Sequence, residues 1–370
     1  MDNLTHTLVG AALAETGLKR ATPLAAATLL IGANLPDIDI LSGAFGPLTY
    51  LEYHRGLTHS LVGFLSLAVL LAASVYGCSR LARPRANPGA RHARFGPLLA
   101  LSLLSMATHP LLDYTNNYGW RPFLPWNNRW YYGDIAFVVD PWIWAGLGGW
   151  VFVVTAKTHK RALGWALLFA ACTFFIVSAG VSLKVVALWL AVAALAVALR
   201  LMLGLNERRE RRLTAGMLII LLTYFGTLTL LHRLALDKAA ALAANIITTE
   251  PVRQINAMPM EVDPFSWRAV VVTERAFYMA DLGLLRSGMP QPQRYDCEIG
   301  DPAAILAAQR TAEAQTFLRF ARFPTAEAHT TGEATEVVIR DLRFLGRGNF
   351  FRITIRLDKN LRPIVERQPD

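Results

Sequence analysis

Eight apolar stretches crowd into the first 236 residues of this chain, at roughly 5–18, 22–36, 60–78, 97–113, 136–155, 162–182, 184–203 and 214–233. A membrane span needs about 20 predominantly apolar residues and tolerates about 17, so the pattern predicts a protein that crosses a membrane several times. Only 17% of the 370 residues are charged and 54% are hydrophobic, whereas a soluble domain carries about 25% charged residues. The first two stretches are short enough to read as a tight helical hairpin packed inside protein rather than as two ordinary spans. The three cysteines, Cys78, Cys172 and Cys297, form no CxxC pair, which argues against a disulfide framework and against a thiolate zinc site. The opening Met-Asp-Asn-Leu-Thr-His has no basic region before its apolar run and does not read as a cleaved signal peptide.

The net charge of +10 would suggest nucleic acid in a soluble protein. Here the basic residues fall in short loops between apolar runs and lack interleaved aromatics, so membrane orientation and anionic lipid explain them better. Lys19 and Arg20 lie between the first two stretches. Arg80, Arg83, Arg85, Arg91 and Arg94 follow the third, Lys157, Lys160 and Arg161 the fifth, and Arg208, Arg209, Arg211 and Arg212 precede the eighth. If each stretch crosses once, all four basic loops share one side, the cytoplasmic one by the positive-inside rule. The N-terminus, residues 37–59, residues 114–135 and everything after about 236 then lie outside the cytoplasm.

From about residue 245 the pattern changes. Alternation in 268–274, 335–344 and 350–357 reads as strands, and 302–320 reads as one helix with Pro302 near its start. The expected fold is a polytopic α-helical membrane protein with a C-terminal extracytoplasmic α+β domain. The expected divisions are a metal-site helical domain at 1–155, additional transmembrane helices at 156–236 and the α+β domain at 237–370.

On that topology the ionisable residues gather at one face. His6 comes from the first stretch, Asp37 and Asp39 follow the second, His54 and His59 precede the third, and His109 and Asp113 end the fourth. Imidazole together with carboxylate suits zinc, and also manganese or iron. His109 and Asp113 are four apart and share a helix face. Asp37 and Asp39, two apart beside Pro36, fit an extended turn. Two carboxylates there can bridge two metals, or one can ligate while the other orients an imidazole. Carboxylates near lipid are costly unless a cation or partner neutralises them.

Bland roles compete with this one. Asp140, Asp134 and Glu15 can cap helices or pair with arginines, and Thr58 and Ser60 can cap a helix. Asn34 and Arg55 suit either support of the site, with Arg55 also a contact for substrate phosphate, or a structural turn. His92, His159, His232 and His329 read as structural. The aromatic segment 114–132 reads as an interfacial belt or as a wall of an active-site cleft. Arg121 and Arg129 in it could meet an anionic headgroup. The chain holds no GxSxG, P-loop, GxGxxG or HExxH pattern, so it gives no support to a lipase-like serine, nucleotide-binding loops or that class of metalloprotease.

Asp2-Asn-Leu-Thr-His6, Leu35-Pro-Asp-Ile-Asp39, His54-Arg-Gly-Leu-Thr-His-Ser60 and His109-Pro-Leu-Leu-Asp113, in that order, resemble the bacterial inner-membrane metal-dependent hydrolase family of the YdjM type, described as LexA-regulated. The resemblance covers roughly the first 150 residues and implies a bacterial inner-membrane location and metal-dependent hydrolysis. A more distant similarity links the same order of motifs to zinc-dependent phospholipase C and its nuclease relatives. The later His and Glu ligands of that pattern are missing after Asp113, which favours one or two ions over three.

The expectation is a membrane-bound metal-dependent hydrolase acting on a phosphate ester of a lipid or lipid-linked substrate. His6, Asp37, Asp39, His54, His59, His109 and Asp113 are the expected ligands, Asp37 or Asp39 the proton acceptor, and Arg55, Arg121 and Arg129 the substrate contacts. Asp140 and Asn34 are additional candidates. Zinc is the favoured cofactor, and nucleic acid is not an expected partner. The alternatives are a transporter or ion path, a scaffold in which the metal is structural, and an enzyme acting on an amide or ester. Nothing in the sequence specifies an oligomeric state.

Overall fold

The computed structural model describes residues 1–81, 92–245, 250–345 and 351–364; Arg83, Arg85 and Arg91 of the second basic loop, and Phe350 at the start of the last expected strand, lie outside them. Packing divides the chain into two units. The first comprises Met1–Ile38, Leu57–Leu231 and Pro259–Pro264. The second comprises Asp39–Gly56, His232–Met258 and Phe265–Asp370, so it draws in residues 39–56 from the expected membrane domain.

The first unit is helical. It opens with α1 (Asn3–Glu15) and α2 (Ala25–Gly32). Asp2 caps α1 by accepting from the Thr5 amide at 3.0 Å and the Thr5 hydroxyl at 2.6 Å, which starts the helix early enough to place His6 in its first turns. At 1.5 Å per residue α1 is about 20 Å long, short of the roughly 30 Å hydrocarbon core. It is buried instead: Thr5, His6, Leu8, Val9, Gly10, Ala12 and Ala14 are sealed. Two glycines make room for close packing. A Cβ on Gly10 would lie 2.8 Å from the Leu29 carbonyl oxygen, and one on Gly32 would lie 2.1 Å from Oγ of Ser105. The hairpin expected from the two short stretches is therefore a packed element of the interior.

After α2 a 3-10 segment, Leu35–Phe45, turns away by 46°, and α3 (Pro47–Tyr53) follows in the second unit. The helices α4 (Leu61–Leu81) and α5 (Phe95–Tyr114) pack together. The stretch 136–155 forms α6 (Pro141–Thr155), which is shorter than a span and contains a π-helical segment, Trp144–Gly148. Next come α7 (His159–Ser178), α8 (Leu183–Met202) and the 39-residue α9 (Glu207–Asn245), which runs into the second unit.

Five described helices, α4, α5, α7, α8 and α9, are long and apolar enough to cross a membrane, and six spans result if α2 and the bent segment after it act as one. The eight apolar stretches yield fewer spans because α1 and α6 are shorter and buried. Basic segments nevertheless converge at one end of the first unit. Arg20 pairs with Glu207, Lys157 with Glu210 at 2.7 Å, and Arg94 donates to the Ala21 carbonyl at 2.8 Å.

Among its described residues the second unit contains two four-stranded sheets. The first holds β1 (Gln254–Pro259), β2 (Ser266–Val272), β3 (Ala276–Gly283) and β4 (Gln293–Asp296) in sequence order, with β2, β3 and β4 antiparallel. The other holds β5 (Glu298–Ile299), β6 (Pro324–Thr331), β7 (Ala334–Asp341) and β8 (Arg352–Leu357), with a parallel β5–β6 pair and antiparallel pairing beyond. The helix expected at 302–320 is two, α10 (Pro302–Gln309) and α11 (Ala312–Phe320). Thr311 breaks it, its hydroxyl accepting from the Ala314 amide at 3.2 Å as the cap of α11. Met258, Val270, Phe277, Met279, Phe323 and Leu342 form a core of this domain.

Candidate metal centre

Four side chains from three segments of the first unit converge. Asp37 comes from the 3-10 segment after α2, His59 from the turn before α4, and His109 and Asp113 from the C-terminal half of α5. One ligand atom from each lies within 4.8 Å of all the others. The separations are more telling than the convergence. Nε2 of His59 lies 3.1 Å from Nε2 of His109. The His59 nitrogen is 3.3 Å from Oδ1 of Asp37 and 3.4 Å from Oδ2 of Asp113. The His109 nitrogen is 3.4 Å and 3.5 Å from those same oxygens. Zinc bonds of about 2.0–2.2 Å to N and O ligands give a tetrahedron with edges of roughly 3.3–3.6 Å. Five of the six edges of such a tetrahedron are thus present at, or within a few tenths of an ångström of, the required length.

Supporting contacts set the ring tautomers. Nδ1 of His109 donates to the Ala33 carbonyl at 2.7 Å, which leaves Nε2 as a bare lone pair. Oγ1 of Thr58 lies 3.1 Å from Nδ1 of His59 and can accept from it, leaving that Nε2 bare as well. Two lone pairs facing each other at 3.1 Å repel unless a cation lies between them, so the donor set fits a divalent ion. Asn3 holds the fourth side chain, its amide donating to Oδ2 of Asp37 at 2.9 Å. The indole of Trp120 donates to the His59 carbonyl at 2.7 Å and ties the aromatic loop to the site. Sequence reasoning did not single out Asn3 or the Ala33 carbonyl, and it placed Trp120 within the aromatic segment that reads as a belt or a cleft wall. For Asn3, its place within the Asp-Asn-Leu-Thr-His motif was the available signal.

The other expected site residues take different places. His6 lies outside the four-atom group. Its ring stacks on His109 at 3.8 Å and 15°, and its Nε2 is 3.4 Å from Oδ1 of Asp113, which also meets the Met1 amine. Asp39 and His54 belong to the second unit and pair with each other, Nδ1 to Oδ1 at 3.1 Å, while Asp39 also accepts from the Arg55 amide at 2.9 Å. Arg55 is buried, with a positive φ of 50°. Asn34 bonds Thr7 and the Leu30 carbonyl, both at 3.0 Å, in a structural turn. Asp140 caps α6, accepting from the Trp142 amide at 2.8 Å and from the Tyr224 hydroxyl at 2.8 Å. Arg121 is buried, bonded to Asn128 at 3.0 Å and lying over Trp130. Arg129 is exposed, over the ring of Tyr131. Ser60 caps α4, accepting from the Gly63 amide at 3.1 Å.

Membrane-spanning helices around a buried His/Asp cluster define a polytopic membrane protein with a candidate metal site. The chain belongs to the YdjM inner membrane protein family, whose sequence model matches residues 1–186 and so includes all four converging residues. It is also similar to the uncharacterized protein YfhP of Bacillus subtilis (strain 168), at 28% identity over 153 residues. That similarity covers 39% of this chain and 43% of YfhP, so the chain spans less than half the length of this relative. No solved structure matches the chain.

Proposed function

We propose that this chain is a metal-dependent hydrolase of the inner membrane that cleaves a phosphate ester of a lipid or lipid-linked substrate at the extracytoplasmic face. The observation that carries the reading is the four-atom group of Asp37, His59, His109 and Asp113 at tetrahedral spacing. His59, His109 and Asp113 would hold a divalent ion, zinc by preference, which would supply an acidified water beside Asp37 and offset charge on phosphoryl oxygens. His59, His109 and Asp113 are 0–1% exposed, whereas Asp37 is 13% exposed. The site therefore opens on the Asp37 side, where that carboxylate is placed to take a proton from water. Asn3 fixes its second oxygen, and the stacked ring of His6 excludes water from the opposite flank. Exposed Arg129, in the loop anchored by Trp120, is the arginine of that loop placed to meet an anionic headgroup. The convergence of basic segments at one end of the helical unit supports a cytoplasmic placement of that end.

A second reading has its own observation. Four protein ligands complete a tetrahedron, and closed sites of that kind are usually structural. The absence of thiolate from the set and the partial exposure of Asp37 favour the catalytic reading. The test is release of phosphate or headgroup from phospholipid and lipid-phosphate substrates by the full-length protein in detergent. Metal-dependent turnover abolished by His109→Ala supports hydrolysis. A protein that loses its fold on chelation yet turns over none of these substrates contradicts hydrolysis of phosphate esters and supports the structural role.

A further inference from the structure

A cavity of about 430 Å³ lies within the helical unit, bounded by α1, α6, α7 and α8. Its wall is almost wholly hydrocarbon and aromatic, with Leu4 and Leu8 of α1, Trp144 of α6, Trp165 and Phe169 of α7, and Trp189 of α8. The three indole N–H groups on this wall are already engaged. Trp144 donates to Asp2 at 3.0 Å, Trp165 to Thr155 at 2.9 Å and Trp189 to Thr173 at 2.9 Å. The wall therefore presents no free indole donor to an occupant, and an occupant with polar groups would lose hydrogen bonds on entry. The volume is in the range of about 300–1,000 Å³ that ligand sites occupy.

We propose that this cavity is a binding site for a hydrocarbon chain of a membrane lipid. The helices α7 and α8 that form its wall are two of the five span candidates, and they turn Leu163, Phe174, Leu188 and Leu195 outward. The medium beside the cavity is therefore lipid tails. A protein helix does not fit. At a diameter of about 10 Å, 430 Å³ holds roughly one helical turn. The position of the cavity gives the site a consequence. Leu4 and Leu8 lie one turn apart on the cavity face of α1, while His6, between them, points away and stacks on His109. One helix thus separates the hydrocarbon site from the metal ligands, and a seated chain braces the helix that carries His6. The proposal does not depend on hydrolysis.

The experiment uses the full-length protein in phosphatidylcholine vesicles doped with phosphatidylcholine bearing a diazirine midway along one acyl chain. Irradiation, proteolysis and mass spectrometry then locate the labelled residues. The expected result is labelling of the cavity residues Cys172 and Ala193 several-fold above the outward-facing Phe174 and Leu195. Ala194→Trp, which fills the cavity, removes the excess, and the outward Leu195→Trp leaves it unchanged. Ala166→Leu, a smaller filling of the same wall, serves if Ala194→Trp does not fold, and it should reduce the excess. The excess should persist after chelation, so loss of the metal-centre reading leaves this result standing. Equal labelling of inward and outward residues, or an excess unaffected by either filling variant, overturns the proposal.

Discussion

Both halves of this molecule bury carboxylates, and they treat them differently. In the β domain Asp341 is sealed and met by the Arg343 guanidinium at 2.7–2.8 Å and by the amides of Arg322 and Arg343 at 3.0 Å. Those are the lengths of charge-assisted hydrogen bonds, and they satisfy the carboxylate within the domain. In the helical unit Asp37 and Asp113 meet imidazole nitrogens at 3.3–3.5 Å. That spacing is too long for strong hydrogen bonds and is the edge length of a metal tetrahedron. A carboxylate satisfied by arginine closes a structure, whereas carboxylates spaced from imidazoles leave room for an ion.

The difference is most sharply tested by breaking each site in turn. Arg343→Ala should destabilise by about 3–5 kcal/mol, because it strands the sealed Asp341 carboxylate, whereas His109→Ala leaves Asp113 its Met1 amine and should act through loss of the metal. Thermal or denaturant unfolding reads this, and only His109→Ala should lower the metal content. Equal metal content in the two variants would erase the distinction. Next in size, chelation should lower the stability of the wild type by up to about 4 kcal/mol when metal had been present at 1,000 times its Kd. It should leave His109→Ala unmoved, as a melting curve with and without chelator shows.

Smaller effects refine the comparison. Asn3→Ala and Thr58→Ala remove groups that orient ligands and should weaken metal affinity about 10–100-fold, measured by competition with a metal indicator. Their unfolding in metal-free buffer should change little. Smallest of all, Arg268→Ala breaks the cross-strand pair with Asp281, which is partly exposed. It should cost less than about 1 kcal/mol with metal binding intact.

The candidate metal-binding group is legible where spacing carries geometry. His109 and Asp113 are one turn apart, and the Asp37 and His59 motifs border apolar runs, so membrane topology alone brings them to one face. The same reasoning grouped Asp140 with them. It cannot distinguish a carboxylate placed to ligate from one that caps α6, because those roles depend on angstrom-scale packing. Backbone partners such as the Ala33 carbonyl have no side-chain signature at all. In the β domain β2, β7 and β8 alternate visibly. By contrast β4 (Gln-Arg-Tyr-Asp), β6 (beginning at Pro324) and the two-residue β5 are too polar, proline-led or short to announce themselves as strands.

The central claim is that Asp37, His59, His109 and Asp113 hold a metal ion. Elemental analysis of the purified full-length protein tests it most directly, with His109→Ala and Asp140→Asn beside the wild type. The predicted result is metal bound in stoichiometric amount in the wild type and in Asp140→Asn, whose carboxylate caps a helix, and lost in His109→Ala. Wild-type protein that holds no zinc, manganese or iron even after reconstitution, or that loses it in Asp140→Asn while His109→Ala retains it, would contradict the claim.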